Sequence, residues 1–264
     1  MSTPDPMLYA ALGTLFTFAM TALGAATVFF FRKAPSALFT KLSLGFAAGI
    51  MIAAAVWSLL IPALDEAESL GLPLAYPVPL GFCLGVAFLI ALDNLLPHLH
   101  VGAREAEGPQ VHMKKDSLLF LAVTIHNIPE GMAVGIAFAA AATGSPEAFS
   151  AAVALALGMG IQNIPEGTAV TLPMYASGTT RRRAFLMGAF SGLMEPLAAL
   201  TVVLIASSIT GLMPWLLAFA AGAMLYVVVE ELIPEAHLGE HSDLGTLSVM
   251  AGFLTMMLLD TSLG

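Results

Sequence analysis

Charged residues are scarce in this 264-residue chain: lysine, arginine, aspartate and glutamate together make up 10% of it. Soluble domains carry about 25% of such residues. Hydrophobic residues reach 58%, which is typical of a membrane protein with several spans. The net charge of −9 argues against nucleic acid as a partner.

Cysteine is nearly absent as well. The single Cys83 lies in an apolar run, so the sequence predicts neither a disulfide framework nor a thiolate metal site. The first ten residues, MSTPDPMLYA, lack a basic region and a small-residue cleavage site. We therefore expect no signal peptide.

Long apolar runs are abundant. A helix needs about 20 apolar residues to cross a bilayer. Eight runs are candidate spans, at residues 7–31, 41–63, 77–99, 117–142, 147–176, 181–210, 212–236 and 244–262. The loops between them are short, so we expect one transmembrane domain over residues 1–264, with a cytoplasmic loop at 100–116.

The basic residues are confined to three of the loops. The first, third and fifth loops contain all nine of them, which are Arg32, Lys33, Lys41, Arg104, Lys114, Lys115, Arg181, Arg182 and Arg183. Short cytoplasmic loops collect lysine and arginine. The sequence therefore predicts a multi-pass protein of the cell (inner) membrane, with both termini outside the cytoplasm.

Two matching motifs interrupt the fourth and fifth apolar runs, HNIPEG at 126–131 and QNIPEG at 162–167. A charge at the bilayer centre costs about 2.5–3.5 kcal/mol on insertion scales. No lysine or arginine lies in the apolar interior of a span. A bound cation is therefore the natural partner for the glutamates of these motifs.

Helical spacing brings the polar residues of each motif together, because positions three and four apart share one face. These residues are His126, Asn127, Glu130, Gln162, Asn163 and Glu166. Glu195, which precedes a proline in the sixth run, is assigned to the same polar centre. A lone buried glutamate can instead be protonated and bonded to a backbone carbonyl. Three of them in a repeated pattern favour a divalent metal site.

The motifs and the eight spans resemble the ZIP family (Zrt/Irt-like proteins) of divalent metal transporters, most closely its small bacterial members. The histidine-containing loop between spans 3 and 4 resembles that family too. The resemblance implies an all-α fold with a 3+2+3 arrangement of helices and an inverted repeat of helices 1–3 and 6–8. It also implies import of zinc into the cytoplasm, with cadmium, iron or manganese as further substrates.

The resemblance also assigns metal ligands on helices 4 and 5. The first metal would be held by His126, Glu130, Gln162 and Glu166. The second would be held by Asn127, Asn163, Glu130, Glu166 and Glu195, with two glutamates bridging. Met51 resembles a methionine that some bacterial members add from helix 2. Gln162 stands where many members have histidine, and a neutral amide binds zinc more weakly.

Acidic residues mark the two ends of a metal path. Asp65 and Asp260 lie near the outer ends of spans 2 and 8, and Ser58 lies deeper. These three predict an entrance, with a solvated acidic rim as the alternative. The candidates for an exit on the inner side are Asp93, Glu230, Glu231, His98 and His100. Loop histidines can also be merely solvated.

Two other functions compete with transport. An intramembrane metalloenzyme would use metal-bound water, but the chain has no HExxH motif and no spare acid clearly placed as a base. A neutral-solute channel would have bare carboxylates lining its pore. We therefore predict a transporter that needs no cofactor beyond the metals it carries. Small residues at 47–55 and 218–223 offer helix-packing surfaces without naming a partner. A homodimer is a further hypothesis.

Overall fold

Eight helices long and apolar enough to cross a membrane make up the described part of the chain in a computed structural model. The structure describes residues 5–31, 36–73, 76–98, 109, 115–142, 146–208, 211–236 and 243–263. The helices are α1 (Pro6–Phe29), α2 (Ala37–Ser69), α3 (Pro77–Leu95), α4 (Lys115–Ala141), α5 (Pro146–Ala176), α6 (Arg181–Ala206), α7 (Met213–Ala236) and α8 (Asp243–Leu263). This confirms the predicted all-α fold with eight spans.

Several helices begin at recognisable start signals. The side chain of Asp5 accepts a hydrogen bond from the Met7 N–H at 3.0 Å and caps α1. Ser36 caps α2 in the same way through the Phe39 N–H, at 3.1 Å. These caps satisfy N–H groups that the first turn of a helix leaves unpaired.

The two motif helices run without interruption through their central prolines, Pro129 and Pro165. The polar positions of each motif therefore stay on one helical face. Helix α6 is different, because a turn separates Arg181–Ser191 from Met194–Ser208. This break places Glu195 in the first turn of the second segment.

Helices α2 and α7 each contain a π-helical turn, at Ala55–Leu60 and Val228–Leu232. In both helices an Ile-Pro pair follows directly. A π turn inserts extra backbone into a helix, redirects nearby side chains and is frequent at functional sites. The turns contain Ser58 and Glu231, both of which are buried.

The packing of the helices brings the motifs to the centre of the molecule. The most extensive contacts pair α3 with α7, α2 with α8, α1 with α5, and α4 with α6. The motif helices α4 and α5 also touch each other, and α1 and α7 both touch α4. Residues on five helices can therefore meet around the two motifs.

Candidate metal site

The two repeated motifs meet through Gln162. Its Nε2 donates hydrogen bonds to Oε1 of Glu130 at 2.8 Å and to Oδ1 of Asn163 at 2.6 Å. All three side chains are at most 1% exposed. The structure thus brings the first glutamate of the repeat into contact with the second motif, as the sequence predicts.

Glu195 of α6 joins the same network. Nδ2 of Asn163 lies 3.0 Å from Oε1 and 3.1 Å from Oε2 of Glu195. Glu195 is fully buried. This contact agrees with the predicted place of Glu195 beside the motifs. Glu195 makes it from the first turn after the break in α6.

Helix α1 also contributes to the network, which the sequence analysis missed. Thr21 donates its hydroxyl to Oε1 of Glu195 at 3.0 Å, and the carbonyl of Thr17 accepts from Nδ2 of Asn163 at 3.2 Å. One signal was available, since threonines recur at 14, 17 and 21 on one face of an apolar helix. Threonine is common enough in such helices that this spacing did not single them out.

His126 forms an ion pair with Glu231 on the π turn of α7. The sequence predicts Glu231 at the inner exit, whereas the structure places it in direct contact with His126, a predicted metal ligand. Glu231 is also buried, but its neighbour Glu230 is exposed. Of these two adjacent acids, Glu231 faces the motifs and Glu230 does not.

Three buried oxygen atoms of the network have no hydrogen-bond partner among the described residues. They are Oδ1 of Asn127, Oε2 of Glu130 and Oε1 of Gln162. A buried acceptor without a partner costs about 1–3 kcal/mol, and buried polar groups in proteins are nearly always paired. Oxygen acceptors of this type are suitable ligands for a divalent cation.

Glu166 and Met51 are also buried, at 6% and 1% exposure. Glu166 lies close enough to His126 and Glu231 for their charges to interact. The charge of Glu130 likewise interacts with those of Glu166 and Glu195. Four carboxylates therefore share one buried region, and among the described residues Met51 makes no hydrogen bond with them.

The acids are near one another but do not converge on one point. Within the described residues, no group of three or more His, Cys, Asp or Glu side chains is arranged to hold a metal ion. Instead, the Gln162 amide lies between Glu130 and Asn163, and Glu231 pairs with His126.

The predicted entrance residues are partly brought together. The hydroxyl of Ser58 donates to Oδ1 of Asp260 at 3.2 Å, which links α2 to α8. Asp65 is exposed, seven residues further along α2. The structure therefore places the buried Ser58 hydroxyl beside the half-buried Asp260, with the exposed Asp65 further along α2.

On the other side, Asp93 and His98 lie at the end of α3. Nε2 of His98 is 3.8 Å from Oδ1 of Asp93, and its Nδ1 is 2.9 Å from the Leu96 carbonyl oxygen. His100, the remaining exit candidate, lies outside the described residues. Most of the 100–116 loop also lies outside them.

Eight apolar helices around a buried, acid-rich polar centre are typical of a multi-pass α-helical membrane protein. A family model described as ZIP Zinc transporter matches residues 115–260. The chain is 36% identical to zinc transporter ZIP11 of Homo sapiens, covering 97% of each chain. It is 43% identical to zinc transporter ZIPB of Bordetella bronchiseptica, covering 97% of this chain and 82% of ZIPB.

Zinc transporter ZupT of Salmonella paratyphi A is 34% identical, over 94% of this chain and 96% of ZupT. This chain therefore belongs to the ZIP zinc transporter family. The resemblance seen in the motifs is confirmed, including the likeness to bacterial members. The family membership also confirms the prediction of a metal transporter rather than an enzyme.

Proposed function

We propose that this chain imports divalent zinc-class cations into the cytoplasm through a two-metal site on α4 and α5. The observation that carries the proposal is the set of three unpartnered buried oxygens on Asn127, Glu130 and Gln162. They lie on facing motifs, and the neighbouring carboxylates supply negative charge. A cation satisfies both the oxygens and the charge.

The donor set favours zinc. It combines carboxylate and amide oxygens with the imidazole of His126, and such mixed sets suit zinc, cadmium, manganese and iron. Sites without thiolates disfavour Cu(I). ZIP11, ZIPB and ZupT are each named as zinc transporters. Zinc is thus the proposed substrate, with cadmium, iron and manganese as further candidates.

The path that we propose enters at Asp65, Asp260 and Ser58, and leaves past Glu231, Asp93, His98 and His100, with Glu230 at the rim. The ion pair between Glu231 and His126 supports the inner part of this path, because it connects a proposed ligand of the first metal to an acid of the proposed exit. The hydrogen bond between Ser58 and Asp260 likewise joins two residues of the proposed entrance.

We also retain the inverted repeat of α1–α3 and α6–α8 around α4 and α5. In such a repeat α1, α2 and α3 correspond to α6, α7 and α8, and α4 corresponds to α5. The α2–α8 contact then corresponds to the α7–α3 contact, and both contacts exist. Gly49 of α2 rests on the Val249 carbonyl of α8, and Gly222 of α7 rests on the Phe82 carbonyl of α3. Orientation in the inner membrane and a homodimer remain hypotheses.

Zinc influx into proteoliposomes of the purified chain tests the proposal. We expect saturable influx in the wild type and a loss of more than about tenfold in Glu130→Gln, since this change removes a bridging charge. Glu68→Gln is the matched control, because it removes one exposed outer acid and should retain influx. Equal influx in Glu130→Gln and wild type would overturn the two-metal site. Absence of wild-type influx would overturn transport by this chain alone.

A further inference from the structure

Helix α1 buries three threonines, Thr14, Thr17 and Thr21, each at most 2% exposed. A buried hydroxyl needs a hydrogen-bond partner. Thr14 donates to the Ala10 carbonyl oxygen at 2.7 Å, and Thr17 donates to that of Thr14 at 3.1 Å. The Thr14 hydroxyl stays inside its helix, as is usual for threonine, whereas that of Thr17 also interacts with the Glu195 carboxylate of α6.

Thr21 makes its shortest hydrogen bond to another helix. Its hydroxyl lies 3.0 Å from Oε1 of Glu195 and 3.2 Å from the Thr17 carbonyl oxygen. A hydroxyl has one proton to donate. The shorter contact is to the carboxylate, and hydrogen bonds to charged acceptors are the stronger ones. Thr21 therefore acts on Glu195 rather than only on its own helix.

Helix α1 holds the Glu195 carboxylate and the amide beside it. Oε1 accepts from both Thr21 and Asn163, and the Thr17 hydroxyl also interacts with the carboxylate. The Thr17 carbonyl binds Nδ2 of Asn163. Helix α1 thus orients Glu195, with Thr21 fixing one of its oxygens.

The glycines that end the two motifs show that Thr21 and Glu195 hold corresponding positions. A side chain at Gly131 of α4 would overlap the backbone of Glu195 in α6. A side chain at Gly167 of α5 would overlap the Thr21 carbonyl oxygen in α1, 2.5 Å away. Each motif glycine therefore lets a neighbouring helix approach closely at a polar residue. This residue is Glu195 for Gly131 and Thr21 for Gly167.

We infer that Thr21 is a positioning residue of the metal centre, whose hydroxyl holds Oε1 of Glu195 and so orients this carboxylate for the cation. The inference rests on the proposed function, because it needs the metal centre formed by α4, α5 and Glu195. A carboxylate that is already oriented loses less freedom when it binds. Loss of the Thr21 hydroxyl should weaken zinc binding by about tenfold, the size expected for a hydrogen bond to a charged group.

Equilibrium zinc binding to the purified full chain in detergent tests this inference. Thr21→Val removes the hydroxyl and retains the shape, and its zinc dissociation constant should rise by about tenfold. Thr21→Ser restores the hydroxyl and should return the constant to within about twofold of wild type. Thr14→Val is the matched control, because it removes a buried hydroxyl from the same face without touching the network, and it should bind zinc as wild type does.

A second series decides whether Thr21 acts through Glu195. In a Glu195→Ala background, adding Thr21→Val should cause no further loss of zinc binding, since residues that act as a unit are not additive. An additional tenfold loss would overturn the inference. So would wild-type binding in Thr21→Val, or equal losses in Thr21→Val and Thr14→Val.

The two proposals fail in different ways. Wild-type protein that binds zinc without influx contradicts the proposed transport, while the binding series still decides the role of Thr21. Wild-type influx together with unchanged binding in Thr21→Val contradicts only the role of Thr21. Wild-type protein that binds no zinc overturns both.

Discussion

At the scale of single residues, Gln162 connects the two motifs. One Nε2 donates to Glu130 and Asn163, and the Oε1 of the same amide has no partner among the described residues. A histidine at this position would offer imidazole nitrogen instead of amide oxygen. Imidazole binds zinc more tightly than a neutral amide oxygen does. The amide therefore suits a centre that must release its cargo.

Gln162→His should consequently bind zinc more tightly and release it more slowly. We expect the half-saturating zinc concentration for influx to fall by about three- to tenfold and the maximal rate to fall as well. Influx into proteoliposomes over a range of zinc concentrations measures both values. The double variant with Glu130→Gln is the control, and it should lose influx. A half-saturating concentration equal to that of wild type would contradict this role of the amide.

At the scale of helices, close approach of backbones positions the polar side chains. Gly131 lets α4 rest on the α6 backbone at Glu195, and Gly167 lets α5 rest on α1 at Thr21. Small residues allow such approach between membrane helices. The last residue of each motif is therefore explained by packing, while the first, second and fifth residues form the polar centre.

Gly131→Ala and Gly167→Ala should each force the neighbouring helix away. We expect a loss of about 1–3 kcal/mol of stability in each variant, the usual cost of overpacking, together with weaker zinc binding. Thermal unfolding in detergent, with and without zinc, measures both effects. Gly45→Ala is the matched control, because the nearest atom to its added Cβ is 3.0 Å away, and its loss should be smaller. Equal stability of Gly131→Ala and Gly45→Ala would contradict this account of the motif glycine.

At the scale of the whole molecule, each of the eight helices packs most extensively against one other helix. Helices α2 and α8 pack together, as do α3 and α7, and the motif helices pack mainly against α1 and α6. The nine basic residues lie in the first, third and fifth connections or at the helix ends beside them. We predict the orientation from that charge bias and not from the packing.

Cysteine labelling tests the orientation. In a Cys83→Ala background, Glu68→Cys should react with a membrane-impermeant maleimide in intact cells, because Glu68 is exposed at the end of α2 that is predicted to lie outside. Thr179→Cys, beside the basic residues before α6, should react only after permeabilisation. The reverse pattern would place both termini in the cytoplasm and contradict the predicted topology.

The spans, the two motifs and the burial of Glu130, Glu166 and Glu195 could be predicted from the sequence alone. A bilayer makes this possible, because a spanning helix must be apolar for about 20 residues and any acid inside it is conspicuous. The spacing of His126, Asn127 and Glu130 on one face follows from helix geometry alone. The resemblance of these residues to ZIP transporters then predicted the family that the comparisons confirm.

The residues of other helices that complete the centre could be identified from the tertiary structure alone. Thr21 meets Glu195 across 174 positions of chain, and Glu231 meets His126 from a π turn that no periodicity revealed. Such contacts depend on which helices pack together and at what rotation. Helix packing is set by side-chain shape over many residues at once, so no local pattern in the sequence contains it.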